Sequence, residues 1–287
     1  MTTLIPKITV IGPRIIRILG CNPGPMTLQG TNTYLIGTGN RRVLLDTGED
    51  KNEDYLTSLM SVLKQHNTTV DKIIITHWHM DHIGGLSNIV AAMEDQVSVY
   101  KFPRIDPEDS PMPATAIYIP LKHQDLIETE GATLRVHHTP GHTTDHVVVE
   151  LEEEAAVFSG DCILGEGTTV FEDLHSYMAS LKLILGMEPK VIYPGHGPVV
   201  EEPQTKINQY INHRNQREKQ IMNTLNSSIN KFLTPMELVK VIYKETPEHL
   251  HLVAVGNVLN HLKKLLKDKQ VVQQGDTWCS VTMKGQL

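Results

Sequence analysis

Four strong metal-binding side chains crowd into one hexapeptide, His77-Trp78-His79-Met80-Asp81-His82, directly after the apolar run Ile73–Ile75. Imidazole nitrogens and carboxylate oxygens hold zinc at about 2.0–2.2 Å. Side chains two apart on extended backbone share a face, so His77 and His79 can grip one ion together. Asp81 and His82 lie beyond the bend, ahead of Gly84-Gly85, and reach a neighbouring ion more easily than the same one. Three later residues complete the set. His142 stands in Thr139-Pro140-Gly141-His142, Asp161 in Ser159-Gly160-Asp161 and His196 in Pro194-Gly195-His196. Each follows a glycine, which permits a sharp bend and close backbone approach. His142 would complete three histidines on the first ion. Asp81, His82 and His196 would hold the second, with Asp161 between them. The expected cofactor is two Zn2+ per chain, with Mn2+ or Fe as substitutes.

Other polar residues read more plainly. Asp46, before Thr47-Gly48, is expected to orient a ligand histidine through its other ring N–H. Cys162 follows Asp161, and adjacent strand residues face opposite ways, so a metal-binding Asp161 implies a buried Cys162. His66, His123, His175 and His261 have no neighbouring ligands, and His137, His138 and His146 read as packing residues beside His142.

Short apolar runs supply the supports. Val43–Leu45, Ile73–Ile75, Leu134–Val136, Val147–Val149, Val157–Phe158 and Val191–Tyr193 read as buried strands. Four end in polar clusters, which hold Asp46, His77, Asp161 and His196, so the clusters should meet along one sheet edge. Leu56, Leu59, Met60 and Leu63, and later Leu174, Met178, Leu181 and Leu185, repeat with helical spacing. Strands alternating with helices place the chain in the α/β class. Phe102–Pro113, with its prolines, reads as a surface loop. Ile8–Leu19 reads as a first strand, although the absence of acidic residues before Asp46 also suits a mitochondrial transit segment.

The composition changes after Pro203. Residues 1–202 form the expected catalytic domain and 203–229 a connecting helix. Residues 230–287 form a small module of helix, helix and hairpin, winged-helix-like in outline, opened by the capping box Thr234-Pro235-Met236-Glu237. Apolar residues make up 40% of the chain, enough for a packed core and too many for a disordered chain. Three scattered cysteines exclude a disulfide framework, and no apolar run reaches the roughly 20 residues of a membrane span. The net charge of −7 argues against wholesale coating of nucleic acid, but it is unevenly placed: Gln204–Lys269 holds 11 Lys/Arg against 5 Asp/Glu. This stretch reads equally as a solvated helix face; were the substrate an anionic strand, Lys206, Arg214, Arg217, Lys263 and Lys264 would be the candidate phosphate contacts. Aromatics are too few for an extended stacking platform, leaving Tyr34, Trp78 and Tyr118 as single stacking positions.

The pattern His77-x-His79-x-Asp81-His82, followed by His142, Asp161 and His196, resembles the metallo-β-lactamase superfamily over roughly residues 10–200. The resemblance implies an αββα sandwich with the metals at one edge. Lactam-hydrolysing members place a cysteine among the second-site ligands and lack the bridging aspartate. Asp161 makes this chain resemble the thioester and phosphodiester hydrolases instead. Gly20–Tyr34 and Phe158–Gly165 resemble one animal branch closely, which implies an endoribonuclease on single-stranded RNA in the mitochondrial matrix, with the cytosol as alternative compartment. A hydroxide held between two ions about 3.5–4 Å apart would attack phosphorus. Asp81 and Asp161 would be the catalytic carboxylates that orient it, leaving a 5′-phosphate and a 3′-hydroxyl. A metal-held water, His146 or His175 would protonate the leaving group. Two rival functions are a glyoxalase II-type thioester hydrolase and a nucleic-acid or protein-binding adaptor with a relic catalytic domain. No membrane or protein partner is indicated.

Overall fold

The computed structural model describes residues 3–228 and 231–281. The expected boundary at 229/230 lies outside these residues. In chain order the elements are β1 (Ile8–Val10), β2 (Ile15–Leu19), β3 (Asn32–Ile36), β4 (Arg41–Leu45), α1 (Glu53–His66), β5 (Thr69–Ile75), α2 (Met80–Ile83), α3 (Leu86–Ala92), β6 (Ser98–Lys101), β7 (Ile117–Pro120), β8 (Leu126–Thr129), β9 (Ala132–His138), β10 (Val147–Leu151), β11 (Ala156–Gly160), α4 (Leu174–Gly186), β12 (Val191–Pro194), α5 (Pro203–Ser227), α6 (Pro235–Ile242), α7 (His251–Lys267), β13 (Val271–Gln274) and β14 (Thr277–Ser280).

Strands β1 to β7 lie side by side in sequence order, and β12-β11-β10-β9-β8 form a second sheet. Period-two alternation explains how both sheets are buried on both faces. Ile15, Tyr34, Ile36, Val43 and Leu45 point from the first sheet toward Leu134, Val136, Val149 and Phe158 of the second, forming the inter-sheet core. Alternate residues Ile16, Ile18, Leu35, Leu44 and Ile73 pack beneath α1 and α3. On the opposite side Val148, Val157 and Ile192 pack beneath α4 and α5. The result is the expected αββα sandwich.

Local chemistry fixes the helices. Asn52 caps α1 by accepting from the Tyr55 N–H, and Asn67 ends it in the left-handed conformation. Pro203 sits in the first turn of α5, where the missing N–H costs nothing. The C-terminal half of α5 leaves the sandwich and contributes Ile221 and Leu225 to a separate core with Leu238, Val258, Leu262 and Trp278. Helices α6 and α7 and the β13–β14 hairpin complete this winged-helix module. Thr234 and Glu237 form the expected capping box. The stretch Ile8–Leu19 forms two antiparallel strands instead of one, with Ile11–Arg14 turning between them. Among the described residues no helix is long and apolar enough to cross a membrane.

Candidate metal centre

Strands β4, β5, β11 and β12 all release the chain at the same edge of the sandwich, and their exits carry Asp46, His77, Asp161 and His196. Residue His79 is the N-cap of the short helix α2, so Asp81 and His82 lie inside one helical turn. This explains why one hexapeptide serves two sites: extended backbone presents His77 and His79, and helical backbone turns the next two ligands aside.

Two clusters result. His77 Nε2, His79 Nδ1 and His142 Nε2 lie 3.0–3.3 Å from one another. Asp161 Oδ2 is 3.7 Å from His142 Nε2. In the second cluster His82 Nε2 is 3.3 Å from His196 Nε2, and Asp81 Oδ2 is 3.3 and 3.1 Å from those two nitrogens. Asp161 Oδ1 is 3.3 Å from each of the same nitrogens. Four donors arranged tetrahedrally around zinc at their usual bond lengths stand about 3.3 Å apart. All seven predicted ligands are therefore brought together, with one carboxylate oxygen of Asp161 on each cluster.

Hydrogen bonding prepares the rings for a cation. The Nδ1 of His142 faces the Val170 carbonyl at 2.8 Å, and that of His196 faces the Gly30 carbonyl at 3.4 Å. A carbonyl only accepts, so the proton sits on Nδ1 and the Nε2 lone pair points into the cluster. His82 Nδ1 lies 2.7 Å from Asp46 Oδ2 with the same consequence. The Thr76 hydroxyl donates to Asp46 Oδ2 at 2.9 Å, which leaves it to accept from His77 Nδ1 at 3.0 Å. Asp46 thus holds a ligand of each cluster, one directly and one through Thr76. Burial opposes a charged ring at His196, yet Asp161 and Asp81 overcome it and raise its pKa to about 9. Burial and the neighbouring His142 hold His79 down to about 4. Outer ring nitrogens that face acceptors, a shared carboxylate and near-tetrahedral spacing all fit a pair of divalent cations, which would take the place of the protons on the inner nitrogens.

We expect Asp46→Ala to weaken metal affinity by roughly 10–100-fold, because it strips the acceptor from His82 and frees the Thr76 proton. Competition against a chromophoric chelator checks this. Unchanged affinity would show that the rings need no such orientation.

Glycine makes the close approach possible at two points. A Cβ on Gly195 would stand 2.5 Å from Asp161 Oδ1. Gly141 has φ +137°, and its Cβ would collide with the backbone of Tyr177. Sequence reasoning missed the supports around them. Thr31 Oγ1 donates to Asp81 Oδ2 at 3.1 Å, and Asn32 Nδ2 donates to the carbonyls of Pro194 and Gly197, fixing the His196 loop. The polar run Gly30–Thr33 ahead of a buried strand was the one signal available.

Other expected sites change. Tyr34 cannot stack a base: it is buried between the sheets, with its hydroxyl donating to the Pro194 carbonyl. Trp78 is covered by the Arg104 guanidinium 4.0 Å from its ring centroid and faces a different cleft. Tyr118 lies on the edge strand β7, away from the metal pocket. His146 is no leaving-group acid; it is buried, with Nε2 accepting the Asp161 N–H and Nδ1 on the Thr139 hydroxyl. His175 lies on α4 beside Asp268, outside the pocket. Cys162 is buried as expected. Of the five basic candidates, Lys264 is neutralised by Glu218 and Asp268, and Arg217 stacks on Tyr243. Lys263 is exposed on α7. Lys206 donates to the Gly165 carbonyl and Arg214 to that of Thr169, which puts both beside the loop that walls the pocket.

The metallo-beta-lactamase superfamily model matches residues 26–196, and the beta-lactamase associated winged helix domain matches 234–278. The chain is 54% identical to the beta-lactamase-like protein 2 homolog of Drosophila melanogaster over 269 residues, 92% of each chain. It is 36% identical to an atrochrysone carboxyl ACP thioesterase of Aspergillus fumigatus, across 93% of this chain and 85% of that one. Among solved structures, a beta-lactamase domain protein from Burkholderia ambifaria superposes with a TM-score of 0.77 at 19% identity, covering 96% of this chain and 93% of that one. That last likeness speaks for the fold alone.

Proposed function

Because the chain belongs to the metallo-β-lactamase superfamily, we propose that it is a metal-dependent hydrolase of phosphodiesters whose substrate is single-stranded RNA. Bound zinc-class ions supply water activation near neutral pH and charge neutralisation at the reacting phosphate. The chain's own residues do the rest. Asp161 offers one oxygen to each cluster and so fixes their separation. Asp81, held by the Thr31 hydroxyl, keeps its Oδ2 on the second cluster beside His82 and His196. The pocket is about 290 Å³, walled by Met26 and Leu28 on one side and by Thr169 and Val170 on the other. Of these, Met26, Leu28 and Val170 are apolar, and an apolar lining restricts water around a reacting centre. Lys206 and Arg214 stand behind the pocket wall, bonded to the carbonyls of Gly165 and Thr169, and bring positive charge near an anionic strand; the gathering of seven ligands into two cation sites, which suits an anionic reacting centre, is the observation that carries the reading.

The test is cleavage of single- and double-stranded RNA and DNA by the metal-loaded protein. Water attack at phosphorus gives a 5′-phosphate and a 3′-hydroxyl. We expect those ends, and strand affinity that falls steeply between 50 and 200 mM salt, as phosphate contacts require. A 2′,3′-cyclic phosphate product, or affinity indifferent to salt, would contradict this. A second reading, thioester hydrolysis, is favoured by the likeness to the ACP thioesterase. The same seven ligands serve attack on a carbonyl, so a carrier thioester and a glutathione thioester belong in the same assay. Faster turnover of either would displace RNA as substrate. Convergence of all seven ligands on one pocket favours a working centre over an adaptor with a relic site.

A further inference from the structure

Beside the metal pocket lies a second cavity of about 290 Å³, lined by Thr168, Thr169, Val170, Phe171, Arg214, Asn257 and Asn260. Its wall is shared: Thr168, Thr169 and Val170 line both spaces. On the metal side Val170 and Thr169 bond His142, and on the far side the Thr169 carbonyl accepts from Arg214 Nη2 at 3.3 Å.

Arg214 is only 5% exposed, and its charge is uncompensated. Its partners are the Thr169 carbonyl, His213 Nδ1 at 3.0 Å and the Phe171 ring face at 5.0 Å. No carboxylate among the described residues pairs with it, and its Nε has no hydrogen-bond partner. A buried charge is costly unless paired. Arg217, on the same helix three residues away, adds positive charge, and His261, next to Asn260, is buried with neither ring nitrogen bonded. Burial first, then Arg214, Arg217 and Lys264, hold His261 down to about 3. Asn257 and Asn260 bring side-chain amides, which donate, to the same cavity.

We propose that this cavity is a phosphate subsite, in which Arg214, Asn257 and Asn260 hold the phosphate of the RNA strand that neighbours the one at the metals. The assignment to a strand rests on the RNA reading above; the phosphate chemistry does not. A guanidinium fork with amide donors suits a phosphate oxygen pair. The shared wall sets the subsite one layer of backbone from His142, so a phosphate held there orients the adjoining linkage toward the metal pocket.

The experiment has two arms. In the first, full-length protein stripped of metal by chelator is titrated with inorganic phosphate at constant ionic strength, by calorimetry and by thermal unfolding. We expect saturable one-to-one binding, weakened at least tenfold by Arg214→Gln and by Asn260→Asp. The second variant guards against misfolding, since it offers the buried guanidinium a carboxylate while competing with the anion. Absence of phosphate binding, or equal binding by wild type and a folded Asn260→Asp, overturns the subsite. In the second arm a single neutral methylphosphonate linkage is moved along a single-stranded RNA. We expect one position next to the cleaved linkage to lower affinity about tenfold in wild type and not in Asn260→Asp. A strand that is cleaved with no such position overturns the neighbouring-phosphate assignment. Phosphate binding in a protein that cleaves no strand leaves the subsite standing and removes the RNA reading instead.

Discussion

Asp161→Ala is expected to lower turnover by three orders of magnitude or more, about 4 kcal/mol of lost transition-state stabilisation. Among the described residues Asp161 is the only side chain with an oxygen on each cluster: Oδ2 toward His142 and Oδ1 toward His82 and His196. Without it each cluster keeps three ligands but loses the link that sets their separation, and two-ion chemistry depends on that separation. Metal analysis of the purified variant should show fewer than two ions per chain. Circular dichroism should show the fold retained, because the sandwich core lies between the sheets and away from this edge. Full activity, or two ions still bound tightly, would refute the bridging role. His79→Ala should act in the same direction while affecting the first cluster.

Lys101→Met is expected to destabilise the protein by about 3–5 kcal/mol, the usual cost of leaving one member of a buried ion pair alone. On thermal unfolding that corresponds to a fall in Tm on the order of 10 °C. Lys101 is fully buried at the end of β6, and its ammonium lies 2.7 Å from Asp145, which is also fully buried, and 2.5 Å from Asp109. Among the described residues Lys101 is the only ion-pair partner of Asp145. The ammonium also ties down the loop after β6 through the Phe102 carbonyl. Adding Asp145→Asn to Lys101→Met removes the stranded charge and should restore part of the loss. A double variant no more stable than the single one would show that the pair does not carry this energy.

The metal centre was legible because its chemistry is local. Four ligands share six residues, and each of the other three follows a glycine at a strand exit. The central strands were legible because burial on both faces leaves near-continuous apolar runs. Strands β3, β6 and β8 were not, since they mix polar and apolar residues, and β7 is a short, largely exposed edge strand ending in proline; all owe their pairing to neighbours in the sheet. Tyr34 shows the limit well. Its place two residues from Ile36 on one strand face sends it between the sheets, whatever its nearness in sequence to Thr31 and Asn32. The basic stretch misled in another way. Charge counts made Lys264 and Arg214 equivalent, but Lys264 gains one carboxylate from α5, Glu218, and one from the end of its own helix, Asp268, while Arg214 gains none. The Lys101–Asp145 pair joins residues 44 positions apart, and nothing in either neighbourhood announces it.

Asp173 links the C-terminal helices to the metal centre by three sets of bonds. One of its oxygens caps α4 through the Ser176 N–H, and the other takes Lys267 at the end of α7. Its own N–H, with that of Glu172, bonds the carbonyl of Gly141, directly before His142. A single aspartate thus joins the end of α7, the start of α4 and the backbone directly before one metal-ligand histidine.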